Sequence, residues 1–303
     1  MRPGMTLVIC TLNRQQSLGA CLSAISAMEG IDDCQVVIVD NGSTDGTPQL
    51  VAACASYGRP RPFEYVHEPR TGLSHARNRG LLQSRGEVVI FTDDDCYTQP
   101  DFLTEVRKVF ADAGVDYFGG RVLLHDPQDH PITIQESLVA VRLDPATEIV
   151  PGMIHGANMG FRRTVFEKLG GFNVLFGAGS ALKCAEDTEM IARASAAGFA
   201  GGYFPGPTVR HHHRRSPRDA AVLMCDYDIG RGAFFAAMLG KRRVRRIYLR
   251  RWRTSFSWAR RRLLMRELLG AARFLWGTGV AALLGRERVP KVPAEWTSHR
   301  EAA

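Results

Sequence analysis

Three aspartates follow a short apolar run in the stretch GEVVIFTDDDCYT, which spans residues 86–98. Asp93, Asp94 and Asp95 place three like charges side by side, and these charges repel one another unless a cation binds them. Carboxylate oxygens are the ligands that Mg²⁺ and Mn²⁺ prefer in proteins. A metal held here can also bridge the carboxylates to a nucleotide diphosphate. The triplet therefore predicts a divalent metal site, with an exposed acidic turn as the alternative.

Two other chemistries also use short aspartate motifs. An aspartate-nucleophile phosphatase places Asp-x-Asp after an apolar strand, and residues 93–95 fit that spacing. That motif normally lies early in its fold, whereas two predicted strand–helix units precede the triplet here. An EF-hand loop that starts at Asn41 fails, because Ala52 stands where calcium requires a bidentate glutamate. The phosphatase remains an alternative interpretation, and calcium binding is disfavoured.

Two further acidic positions stand where a chain turns between elements. Asp40 opens the turn DNGSTDGT at the end of an apolar run, and it is suited to accept hydrogen bonds from a base or a ribose. The same turn could only cap the helix predicted from Thr47. Glu186 and Asp187 begin another predicted helix, where the helix dipole favours an anion. This pair could act as a general base or serve only as a cap.

The apolar segments around these residues predict alternating strands and helices. The predicted strands are residues 6–12, 35–39, 63–67 and 87–92, and the predicted helices are residues 17–28, 47–57, 73–84 and 102–112. Such alternation predicts a mostly parallel sheet with helices on both faces. Ligands bind such sheets at the carboxyl ends of the strands, which is where the polar residues 11–14, Asp40 and the aspartate triplet lie.

The later part of the chain is less regular. Residues 124–152 contain four prolines and predict no clear element. A strand end near Asn158 is followed by a helix from about Thr164 that stops at Gly170 and Gly171. A second helix is predicted over residues 185–197.

Charge is unevenly distributed along the 303 residues. Residues 241–303 carry 17 Lys and Arg against 4 acidic residues, although the net charge of the whole chain is only +8. Residues 241–262 mix arginine with aromatic side chains, and a mainly apolar stretch follows up to residue 285. A basic helix with aromatic residues is typical of elements that bind an anionic membrane surface. We favour that interpretation over nucleic-acid binding and over a helix that only packs on the main domain.

The seven cysteines are widely spaced and form no C-x-x-C motif, which favours free thiols in a reducing compartment. The N-terminal residues lack the long apolar region of a signal peptide. The longest late apolar stretch has 12 residues, whereas a spanning helix needs about 20. We therefore expect a cytoplasmic protein, peripheral on the inner face of the cell membrane.

Six segments occur in one order along the chain: TLNR, VIVDNGSTDGT, GLSHARNRG, FTDDDC, GANMGFRR and CAEDTEM. Together they resemble the motifs of the family 2 glycosyltransferases, which are inverting enzymes with the GT-A fold. The resemblance covers about residues 5–215. It implies an α/β fold, with a mostly parallel central sheet flanked by helices, and a nucleotide-sugar donor with Mn²⁺ or Mg²⁺ as cofactor.

The resemblance implies a role for each matching residue. Residues expected around the nucleotide sugar are Thr11, Asn13, Arg14, Asp40, Arg77, Asn78, Asp93 and Asp94. The expected metal ligands are Asp95, Asp93 and His211, with Asp94 as the variable middle position of the triplet. Asp187, next to Glu186, is the expected catalytic base. Gly156, Ala157 and Asn158 are expected to line the sugar and acceptor pocket.

The sequence thus predicts a GT-A glycosyltransferase domain over residues 1–225 and a helical, arginine-rich extension over residues 226–303. The expected activity is metal-dependent inverting transfer of a sugar from a UDP-, dTDP- or GDP-sugar to a glycan or lipid-linked acceptor, in polysaccharide or cell-envelope glycan synthesis. The alternative is a catalytically silent sugar-nucleotide-binding protein that docks to a membrane or partner through residues 241–285.

Overall fold

The computed structural model describes residues 4–56, 63–112, 114–254 and 261–292. The strands are β1 (Met5–Thr11), β2 (Cys34–Asp40), β3 (Glu64–His67), β4 (Val88–Asp93), β5 (Cys96–Thr98), β6 (Tyr117–Leu124), β7 (Val141–Leu143), β8 (Asn158–Arg162) and β9 (Gly201–His211). The helices are α1 (Gln15–Ser26), α2 (Thr47–Ser56), α3 (Leu73–Gln83), α4 (Phe102–Asp112), α5 (Arg163–Leu169), α6 (Glu186–Ala197), α7 (Pro217–Leu239), α8 (Arg245–Arg253) and α9 (Arg261–Leu283).

One mixed sheet organises these elements, with the strand order β3-β2-β1-β4-β8-β6-β9-β5 and with β7 paired to β9. The first four strands in this order are parallel, whereas β8 is antiparallel to both β4 and β6. The register pairs Thr11 with Asp40 and Cys10 with Asp93. The polar residues that end β1, β2 and β4 are therefore brought to the same edge of the sheet.

The parallel strands are apolar almost throughout because both faces of the sheet are covered. Side chains alternate between two cores: Val8 and Val37 belong to one, and Leu7 and Ile38 belong to the other. Each of these four residues is fully buried. This continuous burial explains why an unbroken apolar run correctly predicted these strands. All four predicted strands and the four helices that follow them are confirmed.

The irregular stretch and the late part of the chain contain elements that the sequence did not reveal. The short strand β7 lies within residues 124–152, and the residues on either side of it form turns and extended segments. It pairs with β9 at Gly201–Tyr203. A three-residue strand carries too little pattern to be predicted, since its position depends on a partner about 60 residues away.

Helices α7 and α9 pack against each other at two glycines. A Cβ atom on Gly232 would lie 1.8 Å from the backbone oxygen of Glu267, and one on Gly270 would lie 1.8 Å from that of Ile229. The absence of side chains at these two positions lets the helix backbones touch. Helix α9 is therefore joined to α7 by backbone contact rather than by loosely packed side chains.

The expected domain boundary between residues 225 and 226 lies inside α7, which is continuous from Pro217 to Leu239. The chain beyond α9 also returns to the main body, because the backbone oxygens of Arg288 and Pro290 accept hydrogen bonds from Val174 and Gly171 at 2.9 Å each. The division at residue 225 remains a prediction. Phe256 and Trp258, two aromatic residues of the basic tail, lie outside the described residues. Among the residues described, none of the helices combines the length and apolar character needed to cross a bilayer.

We expect Gly232→Ala and Gly270→Ala each to lower the free energy of unfolding by about 1–3 kcal/mol, because the added methyl group has no room between the helices. Chemical denaturation followed by circular dichroism measures this loss. Gly279→Ala is the matched control, since nothing lies within 4 Å of a Cβ at this position of α9. Alanine there should raise stability by roughly 0.5–1 kcal/mol. Equal stability of the Gly232 and Gly279 variants would contradict the close helix contact.

Candidate active site

A cleft of about 670 Å³ opens at the edge of the sheet where β1 and β4 end. The start of α6 and one face of α7 form its other walls. Eleven of the residues predicted for the site line this cleft: Thr11, Arg14, Arg77, Asp93, Asp94, Asp95, Gly156, Ala157, Glu186, Asp187 and His211. The sequence motifs thus converge on one cavity, although they lie up to 200 residues apart.

Asp93, Asp95 and His211 form an acidic cluster on the cleft wall. Asp95 Oδ1 lies 3.1 Å from His211 Nε2, because the antiparallel β5–β9 ladder pairs Cys96 with His211. One potential ligand atom from each of Asp93, Asp95, Cys96 and His211 lies within 4.8 Å of the others. The Asp93 side chain is 34% exposed and so faces the open cleft.

The chemistry of this cluster fits a divalent cation with oxygen preference. Two carboxylates and an imidazole suit Mn²⁺, and the carboxylates also suit Mg²⁺. Burial raises the pKa of the Cys96 thiol well above its usual value, so Cys96 stays neutral and is a poor ligand for a hard metal ion. The residues present therefore fit the predicted metal with Asp93, Asp95 and His211 as its ligands.

Neighbouring groups keep Asp95 ionised. Burial alone would raise the pKa of this carboxyl, but the hydrogen bond and charge of His211, together with Arg14, hold it well below its usual range. The same pairing raises the pKa of His211 although burial opposes it. Residues 211–213 are three consecutive histidines. His213 is turned inward, and its Nδ1 accepts a hydrogen bond from the Arg215 backbone at 3.0 Å. His211 is thus the histidine of these three that contacts the acidic cluster, through Asp95.

The Asp94 carboxylate has a different environment from those of Asp93 and Asp95. It is buried, and Thr11 Oγ1 donates to its Oδ2 at 2.7 Å while Arg14 donates to its Oδ1 at 3.1 Å. Burial raises the pKa of Asp94 to about 7, although the charge of Arg14 lowers it. Because both oxygens have protein partners, Asp94 positions Arg14 beside the cluster.

Asp187 and Glu186 begin α6 and have different environments. Asp187 is half-buried; its Oδ2 accepts from the Gly156 backbone at 2.8 Å, and its Oδ1 accepts from the Thr188 backbone at 2.6 Å. Glu186 is buried and pairs with Arg77 at 2.7 Å. Burial raises the pKa of Glu186 to about 7 against the lowering effect of Arg77. Of these two carboxylates, Asp187 is therefore the one that backbone amides hold in place and that the cleft leaves accessible.

Arg77 links the acidic cluster to this pair. Its guanidinium is 3% exposed and lies 3.5 Å from Asp93 Oδ1 and 2.7 Å from Glu186 Oε1. It also donates to the Gly156 carbonyl at 3.3 Å. One buried cation therefore fixes the spacing between the acidic cluster and the backbone that orients Asp187.

The side chains of Asn13 and Asp40 accept hydrogen bonds from the turn that follows β2. Asn13 Oδ1 accepts a hydrogen bond from the Thr44 backbone at 2.7 Å. Asp40 is 1% exposed, and it accepts from Tyr65 Oη at 2.7 Å and from the Ser43 backbone at 2.8 Å. Neither residue lines the cleft described above. Their predicted contacts with a nucleotide remain predictions.

Asn78 and Asn158 bind distant backbone groups and do not line the cleft. Asn78 Nδ2 donates to the Phe172 carbonyl at 2.9 Å, and Asn78 Oδ1 accepts from the Phe172 amide at 2.7 Å. Asn158 Nδ2 donates to the carbonyls of Arg121 and Pro207 at 3.0 Å each. Both side chains hold loops together, and their predicted ligand contacts also remain predictions.

One wall of the cleft was missed by the sequence motifs. Leu223, Tyr227, Arg231 and Phe234 of α7 line the cleft. Their spacings of four, four and three residues place them on one face of the helix. This periodicity was visible in the sequence, but it could not show that the face closes a cleft rather than packs in a core.

The mixed sheet flanked by helices, with a cleft at the ends of its parallel strands, has the GT-A architecture. The glycosyl transferase family 2 model matches residues 6–170, more than half of the chain. The protein therefore belongs to glycosyl transferase family 2.

Solved structures share the fold. The mannosyltransferase PcManGT from Pyrobaculum calidifontis, solved with GDP-Man and Mn²⁺, superposes with a TM-score of 0.65 at 23% identity, covering 94% of this chain and 81% of its own. Residues 1–349 of S. aureus TarS, solved with UDP-GlcNAc, superpose with a TM-score of 0.63 at 15% identity, covering 88% of this chain and 80% of its own. At these identities the likeness establishes the fold alone.

Several curated relatives are named as glycosyltransferases. AglE of Haloferax volcanii is 26% identical over 255 residues, covering 81% of this chain and 78% of AglE. The O-antigen chain rhamnosyltransferase WbaN of Salmonella anatum is 29% identical over 199 residues, covering 61% of this chain and 58% of WbaN. The match to EpsH of Bacillus subtilis spans about a third of that protein, 31% of its length. These findings favour glycosyl transfer over the phosphatase interpretation.

Proposed function

We propose that this protein is a metal-dependent, inverting glycosyltransferase that moves a sugar from a nucleotide-diphosphate sugar to a hydroxyl group of a glycan or lipid-linked acceptor. The single observation that carries the proposal is the joint placement of the Asp93, Asp95 and His211 cluster and of Asp187 in one cleft, linked by Arg77. The names of relatives such as WbaN support a role in polysaccharide or cell-envelope glycan synthesis.

The cleft residues have different roles in a single displacement reaction at the anomeric carbon. Asp187 takes the proton of the acceptor hydroxyl as its oxygen attacks the anomeric carbon, and the bond from that carbon to the diphosphate oxygen breaks. The backbone amides of Gly156 and Thr188 hold the carboxylate in place for this proton transfer. A bound metal would supply positive charge to the departing nucleoside diphosphate.

We assign donor binding to the end of the cleft where β1 and β4 finish. Thr11, Arg14 and Arg77 lie there beside the three aspartates. Within this set, Asp94 acts through Arg14, whereas Asp93 and Asp95 would hold the metal. UDP, dTDP and GDP remain equal candidates for the nucleotide, since nothing in the cleft described here distinguishes their bases.

Turnover of a nucleotide sugar tests the proposal. It should require added Mn²⁺ or Mg²⁺, and it should disappear when Asp187 or Asp95 is replaced by asparagine. Wild-type protein that binds a donor nucleotide but never turns it over, across a panel of acceptors, would instead favour the catalytically silent binding protein.

We also propose that the protein lies on the inner face of the cell membrane, held by the outer face of α9. This face exposes large apolar side chains: Met265, Leu268, Leu269, Leu275, Trp276 and Leu283. Its buried opposite face packs on the main body. Exposed arginines flank the apolar side chains, among them Arg262, Arg273 and Arg286. Such a combination matches an anionic lipid surface.

Binding to anionic vesicles is expected to depend on this face. Replacing both Trp276 and Leu283, which are 77% and 88% exposed, by serine should weaken flotation with phosphatidylglycerol vesicles at least about tenfold, because each side chain contributes roughly 1.5–3 kcal/mol when buried. Leu138→Ser removes an equally exposed leucine, 73% exposed, outside α9 and should change nothing. Unaltered flotation of the double variant would refute the assignment.

A further inference from the structure

Helix α7 brings a mixed aromatic and basic face to the cleft. Leu223, Tyr227, Arg231 and Phe234 line the cleft in that order along the helix. None of them lies in residues 6–170, which match the family model. The face is therefore a feature of this chain that the shared family motifs do not explain.

Contacts place this face beside Asp187. The Cys184 thiol packs against Gly230, where an added Cβ would lie 2.2 Å from the sulfur. The same thiol donates to the Asp226 carbonyl at 3.4 Å. Burial raises the pKa of Tyr227 above its usual value, and the nearby negative charge of Asp187 raises it further. Tyr227 and its helical neighbours thus border the proposed base.

Arg231 is fixed by one carboxylate from α7 and one from α9. Its Nε donates to Glu267 Oε1 at 2.7 Å, and its Nη2 donates to Asp228 Oδ1 at 2.8 Å. Glu267 is fully buried, and its other oxygen accepts from Trp252 Nε1 at 3.0 Å. The Arg231 side chain remains 25% exposed. A guanidinium held this firmly at a cleft wall is preorganised to bind an anion.

Lys183 provides a second cation on the same cleft. It lies in the turn before α6, where its φ of 69° is the left-handed conformation that residues other than glycine rarely adopt. Its side chain is exposed, and within the described part of the chain its ammonium group forms no ion pair. Arg14, Arg77 and Arg231, by contrast, pair with carboxylates, although among the described residues the Nη1 of Arg231 forms no hydrogen bond and can still donate to an anion.

We infer that the α7 face and Lys183 form an acceptor subsite for a sugar that carries an anionic group, either a phosphate or a carboxylate. The inference rests on the proposed function, since the acceptor hydroxyl must reach Asp187. Tyr227 offers an aromatic surface and a hydroxyl to the sugar ring, while Arg231 and Lys183 bind the anion. An uncharged acceptor would leave the Lys183 ammonium without a partner in the cleft.

Calorimetric titration of the full chain, saturated with Mn²⁺ and a nucleoside diphosphate, tests this subsite. The titrants are glucose 1-phosphate, glucuronic acid and methyl glucoside. We expect at least one of the two anions to bind about tenfold or more tightly than the glucoside, and Lys183→Gln and Arg231→Gln each to remove most of that preference. Arg218→Gln, on the exposed first turn of α7, is the matched control and should leave it unchanged.

The results of these titrations distinguish a phosphate-bearing from a carboxylate-bearing acceptor. They also distinguish failure of the acceptor subsite from failure of the proposed function. Preference for glucose 1-phosphate indicates a phosphate-bearing acceptor, and preference for glucuronic acid indicates a carboxylate. Equal binding of all three titrants, or full anion binding in Lys183→Gln, overturns the subsite. The Lys183→Gln variant tests the subsite even if loss of Arg231 unfolds the protein. Removing Lys183, unlike removing Arg231, leaves no buried carboxylate unpaired. Nucleoside diphosphate binding is measured first in the same preparation, so its absence counts against the proposed function instead.

Discussion

Asp187→Asn is expected to lower kcat for sugar transfer by about 10²–10⁴-fold while nucleotide binding persists. Asparagine has the same size and can still accept the hydrogen bond from the Gly156 amide, but its amide cannot take a proton from the acceptor at neutral pH. The melting-temperature shift on adding Mn²⁺ and a nucleoside diphosphate measures the binding, and product formation from a nucleotide sugar measures kcat.

Two further variants sharpen this test. Asp112→Asn removes an exposed carboxylate from the end of α4 and should leave kcat unchanged. Glu186→Gln removes the partner of Arg77, and it should weaken nucleotide binding as well as turnover because Arg77 also contacts Asp93. An Asp187→Asn enzyme with the wild-type kcat would eliminate this residue as the base.

Asp95→Asn is expected to abolish tight Mn²⁺ binding and to lower turnover by at least about 10²-fold, the loss typical when charge stabilisation of a leaving group is removed. Asp95 is 3% exposed and contacts both His211 and Arg14. Asparagine at this position removes the negative charge that balances them. The electron paramagnetic resonance signal of free Mn²⁺ measures metal binding independently of activity.

Asp94→Asn provides the matched comparison within the same triplet. The Asp94 carboxylate is already used by Thr11 and Arg14, so its loss should disturb the position of Arg14 and reduce Mn²⁺ affinity much less than Asp95→Asn does. Equal losses of Mn²⁺ affinity in the two variants would show that Asp93 and Asp95 are not the metal-binding pair.

The strands and the acidic residues were predictable because their signals are local. A strand covered on both faces, such as β2, must be apolar at every position, and its polar end then marks the edge of the sheet. The Asp93 to Asp95 triplet follows directly from such a strand. Its meeting with His211 depends on the β5–β9 ladder, which only the family resemblance anticipated.

Residue type alone does not show which polar side chains bind backbone. Asn78 and Asn158 belong to segments that resemble family motifs, and both donate to carbonyl groups of distant loops. The partners of a buried amide are fixed by the fold and not by neighbours in sequence. The wall formed by α7 was missed for a similar reason, because helical spacing does not show what a helix faces.

The backbone contacts of Gly232 with Glu267 and of Gly270 with Ile229 also bear on the order of events during synthesis. Arg231 is held at the cleft only when α7 is backed by α9, since Glu267 of α9 accepts its hydrogen bond. A chain still being translated therefore lacks this cleft wall until residues 261–283 have left the ribosome. The same helix carries the proposed lipid-binding face, so the nascent protein gains its complete cleft and its means of membrane attachment in one step.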